Sequence, residues 1–169
     1  MKKNITTETK ILIIIEIISA LCGLIGVILG ILSLLSLNPN VWGGKADEHA
    51  SFIFTTLTVG FDTLSTLTAI LAFKFGGRIL KIKSERGIKI SVAERFANRL
   101  DLYSFFFGLC GLILSILSLL FLFDFMNTNP GSEIATIFSI IFDSMSAMIV
   151  VWVVKIMLKI NVEEHKNKK

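Results

Sequence analysis

Residues 51–73 read SFIFTTLTVGFDTLSTLTAILAF, an apolar run with an aspartate near its middle. About 20 residues of helix cross the ~30 Å hydrocarbon layer of a bilayer, so the stretch reads as a transmembrane helix. An aspartate at that depth costs about 2.5–3.5 kcal/mol on insertion scales, which marks Asp62 as a residue with a purpose. The pattern returns 81 residues later. That slide superposes Ile53 on Ile134, Thr55 on Thr136, Phe61 on Phe142, Asp62 on Asp143, Ser65 on Ser146 and Lys74 on Lys155, with Thr58 opposite Ser139. The polar identities carry the argument, because apolar residues match by chance between any two spans.

Two further spans flank this pair. Apolar stretches at about 11–37, 51–73, 102–126 and 134–154 are too long for strands and lack barrel alternation. Hydrophobic residues make up 53% of the chain, with a mean hydropathy of +0.76, more than a soluble domain needs for its core. The expected fold is an all-α integral membrane protein of four transmembrane helices, arranged as two tandem helical hairpins. Residues 1–90 form the first repeat with its linker, and 91–169 the second with a basic tail. Each repeat has an even number of spans, so both run the same way, about an axis along the membrane normal.

The register of the first helix on the third is open. A slide of 88 matches Leu21-Cys22-Gly23-Leu24-Ile25 to Leu109-Cys110-Gly111-Leu112-Ile113, whereas a slide of 85 matches Ile31-Leu32-Ser33-Leu34-Leu35 to Ile116-Leu117-Ser118-Leu119-Leu120. Asn38-Pro39 and Asn129-Pro130 each mark the start of a turn between spans.

Charge sets the expected orientation. Sixteen of the 17 Lys and Arg residues precede the first span, lie between the second and third, or follow the fourth; Lys45 alone falls on the other side. By the positive-inside rule those three segments are cytoplasmic, which places both termini inside a cell inner (plasma) membrane. The net charge of +4 is then accounted for by topology and anionic lipid headgroups, and no nucleic-acid partner is expected. The first span is too long for a signal-peptide core and reads as a retained anchor. Trp42 reads as an interface anchor.

Small residues indicate where helices approach closely in lipid. Cys22, Gly26 and Gly30 form such a ridge on the first helix, and Gly108, Gly111 and Ser115 on the third. In the linker, Ser91 and Glu94 have capping-box spacing, so the third helix is expected to begin near Val92. The second is expected to run past Lys74, with Gly76-Gly77 as a weak point and Gly87 as its stop.

The chemistry gathers around the two aspartates. Thr55, Thr58 and Ser65 share a helical face with Asp62, as Thr136, Ser139 and Ser146 do with Asp143. Hydroxyls and a carboxylate in one stripe make an oxygen lining suited to protons, water or small cations. The same groups also serve as interhelical glue, bonding across the bundle. Glu16, lacking a counterpart in the 88-residue register where Ser104 falls opposite, is expected to pair with Lys74 or Lys155 or to gate the path. Asp47, Glu48, Asp124 and Glu133 make the opposite mouth acidic.

A hairpin with an acid in its second helix is similar to the rotor proteolipids of rotary ATPases, through Gly23, Gly26, Gly30, Asp62 and Asp143. The basic segments put the hairpin loops on the opposite side from that family, and no membership is assigned. No phosphate loop, paired histidine, Cys-x-x-Cys or nucleophile–His pattern occurs. No enzyme activity, cofactor or metal centre is therefore expected. The expectation is a small homo-oligomeric channel for cations or protons; the alternative is a non-conducting immunity, anchoring or regulatory subunit whose basic linker and tail hold a cytoplasmic protein.

Overall fold

A computed structural model describes residues 2–38, 40, 47–123 and 129–166. It has four helices: α1 (Lys2–Leu37), α2 (Glu48–Glu85), α3 (Val92–Leu122) and α4 (Asn129–Lys166). All four are long and apolar enough to cross a membrane. At about 1.5 Å per residue, the 31 to 38 residues of each extend roughly 46–57 Å, well beyond the hydrocarbon layer.

The buried residues of each helix recur at intervals of seven. On α1, one series is Thr9, Glu16, Gly23, Gly30 and Leu37, and another is Leu12, Ser19, Gly26 and Ser33. On α2, the series are Ser51, Thr58, Ser65, Ala72 and Ile79, and Thr55, Asp62, Ala69, Gly76 and Lys83. The same spacing runs through Glu94, Asp101, Gly108 and Ser115 of α3, and through Ser132, Ser139, Ser146 and Val153 of α4. A sustained seven-residue repeat keeps one seam facing the partner helices and gives coiled-coil-like packing. The seam residues are largely small and hydrophilic, while Ile14, Ile28, Leu57, Leu71, Phe106, Leu120 and Met148 point outward. That inverted distribution suits lipid, where close backbone approach and interhelical hydrogen bonds hold a bundle together.

The helices pack in cyclic order, α1 on α2, α2 on α3, α3 on α4 and α4 on α1, with little contact across the diagonals. Every neighbouring pair is antiparallel. Ser33 meets Ser51 while Ser19 meets Ser65, and Ser118 meets Ser132 while Ser104 meets Ser146. The bundle thus has one end carrying the α1–α2 and α3–α4 loops, here called the loop end, and a linker end.

These bonds fix the register left open by the sequence. Ser19 and Ser104 play the same part, as do Ser33 and Ser118, and Gly26 and Gly111 each lie against an aspartate. The slide is therefore 85. In this register Cys22 and Cys110 are not equivalent; Cys22 is half-buried and Cys110 exposed. Glu16 falls opposite Asp101 rather than Ser104, and Gly30 opposite Ser115.

Local signals act at the helix ends. The Ser91 side chain accepts from the Glu94 N–H at 3.1 Å, and Glu94 Oε2 accepts from the Ser91 N–H at 3.0 Å, completing the capping box. Asp47 caps α2 by accepting from the Ala50 N–H at 2.9 Å. α2 continues unbroken through Gly76-Gly77 to Glu85, and Gly87 follows with φ +66°, a conformation that favours glycine. Asn129-Pro130 opens α4 instead of forming a turn before it, since a proline in the first turn gives up no helical bond.

An apolar cluster of Leu12, Ile13, Ala72, Ile79, Ala97, Val153 and Met157 closes the interior towards the linker end. Beyond it Lys83 and Glu94 form a buried ion pair at 2.5 Å.

Candidate functional site

From the loop end to this apolar plug, the bundle axis is lined by side-chain oxygens in successive levels. In the first, Ser33 Oγ lies 2.8 Å from Ser51 Oγ and 2.7 Å from Thr55 Oγ1. Ser118 Oγ stands 2.9 Å from Ser132 Oγ and 2.6 Å from Thr136 Oγ1. Each triad stitches one α1–α2 or α3–α4 pair together.

The second level holds both aspartates, Asp62 2% and Asp143 4% exposed. They fit because Gly26 and Gly111 face them: a methyl at Gly26 would overlap Asp62 Oδ1, and one at Gly111 would overlap Asp143 Oδ1. Ser115 Oγ donates to Asp62 Oδ2 at 2.6 Å, and Ser139 Oγ donates to Asp143 Oδ2 at 2.9 Å. The two serine oxygens are themselves 2.6 Å apart. A chain of four oxygens thus joins the carboxyls through three close contacts. Each hydroxyl has one hydrogen, so the third contact needs a proton that only a carboxyl can supply. The two acids behave as one unit, sharing their proton inventory.

At the third level Ser19 and Ser65 donate to one another's backbone carbonyls at 3.2 Å. Ser104 and Ser146 do likewise, with their hydroxyl oxygens 2.9 Å apart. The fourth level is a second acid pair. Glu16 and Asp101, 1% and 2% exposed, meet across the bundle with their carboxyls in hydrogen-bonding contact. Lys74 and Lys155, the expected partners of Glu16, lie on the exposed outer surface instead. A single turn of α3 brings Asn98 beneath Asp101, beside a cavity of about 20 Å³ that Thr9, Leu12, Gly76, Glu94, Asn98 and Asp101 help to line.

Of the residues singled out in sequence, Asp62, Asp143, Ser65, Ser139, Ser146 and Glu16 come together on this axis. Thr58 is buried there as well, but its hydroxyl donates to its own helix at Phe54 O. Among the packing residues, Gly30 abuts Ile140 of α4, Gly108 lies between Thr66 and Ser146, and Ser115 serves as a ligand of Asp62 as much as a spacer. Asp101, Asn98 and Thr66 are additions. Counting in sevens along α3 from Glu94 to Asp101, Gly108 and Ser115 is the signal that finds Asp101. Trp42, Lys45 and Asp124 lie outside the described residues.

Five buried side-chain oxygens among the described residues have no hydrogen-bond partner: Glu16 Oε1, Asp62 Oδ1, Thr66 Oγ1, Asn98 Oδ1 and Asp101 Oδ1. Native interiors rarely leave such atoms unsatisfied; for Glu16 and Asp101, whose carboxyls meet, one shared proton would suffice. Four of them lie from the Asp62 level to the Glu16–Asp101 level, and Asn98 lies beside the plug residues Leu12 and Ala97. No group of three or more His, Cys, Asp or Glu converges among the described residues. Comparison with known proteins finds no matching family model, no similar curated protein and no similar solved structure.

Proposed function

We propose that this chain conducts protons, or small cations, along the interior of its own bundle, with the Asp62–Ser115–Ser139–Asp143 chain as its central element and the apolar plug as its gate. The observation that carries the reading is the column itself: four carboxyls at two levels, serine pairs between them, and the unpartnered oxygens confined to the same line. Intramembrane acids of this kind are characteristic of proton relays and ion paths. Protons are the better carrier. The oxygen–oxygen contacts of 2.6–2.9 Å suit proton hopping, whereas a hydrated cation would require the helices to part.

Such a path lies within one chain, so an oligomer is not required to build it, although a homo-oligomer is compatible with it. The chain would sit in the inner (plasma) membrane with its termini and basic linker in the cytoplasm; reporter fusions at both termini test that orientation. Proton flux into liposomes carrying a pH dye tests conduction. Wild-type protein should acidify the lumen under an imposed gradient, and Asp62→Asn combined with Asp143→Asn should abolish this. Equal flux from the double variant means that the acids only hold the bundle together.

The second reading is a non-conducting anchoring or regulatory subunit. It is favoured by the way the serine and threonine triads bond each other across helices, and by the closed plug. A stoichiometric cytoplasmic partner bound through the basic linker, together with no flux, would select it.

A further inference from the structure

The outer face of the α1–α4 seam carries a groove of about 680 Å³, walled by Leu24 and Val27 of α1 and by Met145, Met148, Val151 and Trp152 of α4. Its lining is almost wholly apolar, and Met148 and Trp152 stand well out from the bundle, 72% and 64% exposed. The seven-residue spacing carries both walls towards the linker end. On α1 the line through Leu24 continues to Ile17 and Lys10; on α4 the line through Met145 continues to Trp152 and Lys159, and that through Met148 to Lys155. All three lysines are exposed, and none has an ion-pair partner among the described residues. Gly23 lies against Ala147 and Gly30 against Ile140, so the two helices pass each other residue for residue. Counted from those contacts, Lys10 stands level with Ile160, next to Lys159, and Lys155 lies about one turn nearer the groove.

Length and charge together decide what fits. From Ser144, at the far end of the groove, to Lys159 is about 22 Å of helix. One leaflet, from the bilayer midplane through its headgroups, is about 20–22 Å. We propose that the α1–α4 groove binds one anionic phospholipid of the linker-end leaflet, an acyl chain lying along Leu24, Met148 and Trp152 and the phosphate held by Lys10, Lys155 and Lys159. Basic residues beside a span attract anionic headgroups. Trp152 stands between groove and lysines, a residue type enriched where chains give way to headgroups. A zwitterionic lipid fills the groove equally well but brings an ammonium group beside three lysines. A second copy of the chain, inserted the same way, would bring its own lysines to the same level, and like charges repel. The basic trio repeats on the other seam, where slides of 81 and 85 carry Lys155, Lys159 and Lys10 onto the exposed Lys74, Arg78 and Arg95. The groove wall differs there, since Ala147 and Ile149 become Thr66 and Thr68.

The site requires a chain that spans a bilayer and does not depend on conduction. Delipidated full-length protein in a non-ionic detergent is titrated with phosphatidylglycerol or phosphatidylcholine of the same acyl chains, and bound lipid is counted by native mass spectrometry. One phosphatidylglycerol per chain should bind about tenfold or more tightly than phosphatidylcholine. Lys10→Gln, Lys155→Gln and Lys159→Gln together should remove that preference. Lys74→Gln, Arg78→Gln and Arg95→Gln together lift equal charge from the other seam and should keep it. Leu24→Trp, which fills the groove and leaves every charge in place, should weaken both lipids. All these side chains are exposed, so circular dichroism should show the bundle intact. Loss of the preference in both triple variants overturns the proposal in favour of diffuse charge attraction. Displacement of phosphatidylglycerol by glycerol phosphate at equal concentration overturns it too, leaving an anion site without a groove. A lipid-free dimer that crosslinks through cysteines placed at Leu24 and Met148 overturns it in favour of a second copy.

Discussion

Replacing Gly111 by alanine tests the packing that holds the aspartates in place. A methyl on Gly111 would lie 2.7 Å from Asp143 Cγ and 3.0 Å from Oδ2, and closer still to Oδ1. The whole carboxyl group is in the way, so Asp143 must swing out and lose the Ser139 hydrogen bond, or α3 and α4 must separate. Overpacking of this kind costs about 1–3 kcal/mol, against about 0.5–1 kcal/mol gained in helix propensity when glycine becomes alanine. The net expectation is a loss of roughly 1–2 kcal/mol. Two controls calibrate it. At Gly26 the methyl would meet Asp62 Oδ1 but lie 3.6 Å from Cγ, so a small rotation of an oxygen with no partner relieves the overlap. At Gly60 it meets nothing within 4 Å, and alanine there should be neutral or stabilising by up to about 1 kcal/mol. Unfolding from mixed micelles by titrated SDS, followed by circular dichroism, should rank Gly60→Ala above Gly26→Ala and Gly26→Ala above Gly111→Ala. If Gly111→Ala is as stable as Gly60→Ala, the tight seam between α3 and α4 is wrong.

Ser115→Ala removes the link between Asp62 and Ser139; leaving those groups short of a partner should cost about 1–3 kcal/mol in the same assay and slow proton flux. Leu12→Ala thins the plug, and proton leak into liposomes should rise; an unchanged leak would show that the gate lies elsewhere. Lys83→Met strands the buried Glu94 carboxylate, with an expected loss of about 3–5 kcal/mol, much of it recovered when Glu94→Gln is added.

Much of this architecture was readable from residue spacing. The four helices follow from apolar length, and the Ser91–Glu94 cap and Gly87 stop follow from local backbone chemistry that tertiary packing does not override. The stripe through Thr55, Thr58, Asp62 and Ser65 shows the seven-residue seam directly. The pairing of α1 with α3 was not readable in the same way. Leu-Cys-Gly-Leu-Ile and Ile-Leu-Ser-Leu-Leu are identities of equal length, but the first carries no hydroxyl to bond across the bundle, and in lipid its apolar residues are interchangeable. The serines bond, and so they fix the register. Placing Glu16 in the 88-residue register, opposite Ser104, hid its equivalence to Asp101. Asp101 also stands beside Arg99 at the point where the apolar run begins, which makes it look like a surface residue; only the folded bundle shows it 2% exposed.

The place where the two halves part company is Gly30 and Ser115. In the first half a bare backbone rests on Ile140; in the second, a hydroxyl reaches across to an acid on the other half. Two halves identical here, and at Thr58 and Ser139, would give their aspartates the same neighbours and so the same hold on a proton. Ser115 and the differing bonds of Thr58 and Ser139 remove that equality: Asp62 is served by a neighbouring helix and Asp143 by its own. Under the proposed conduction, a proton entering from either end of the path meets unlike acids in a different order.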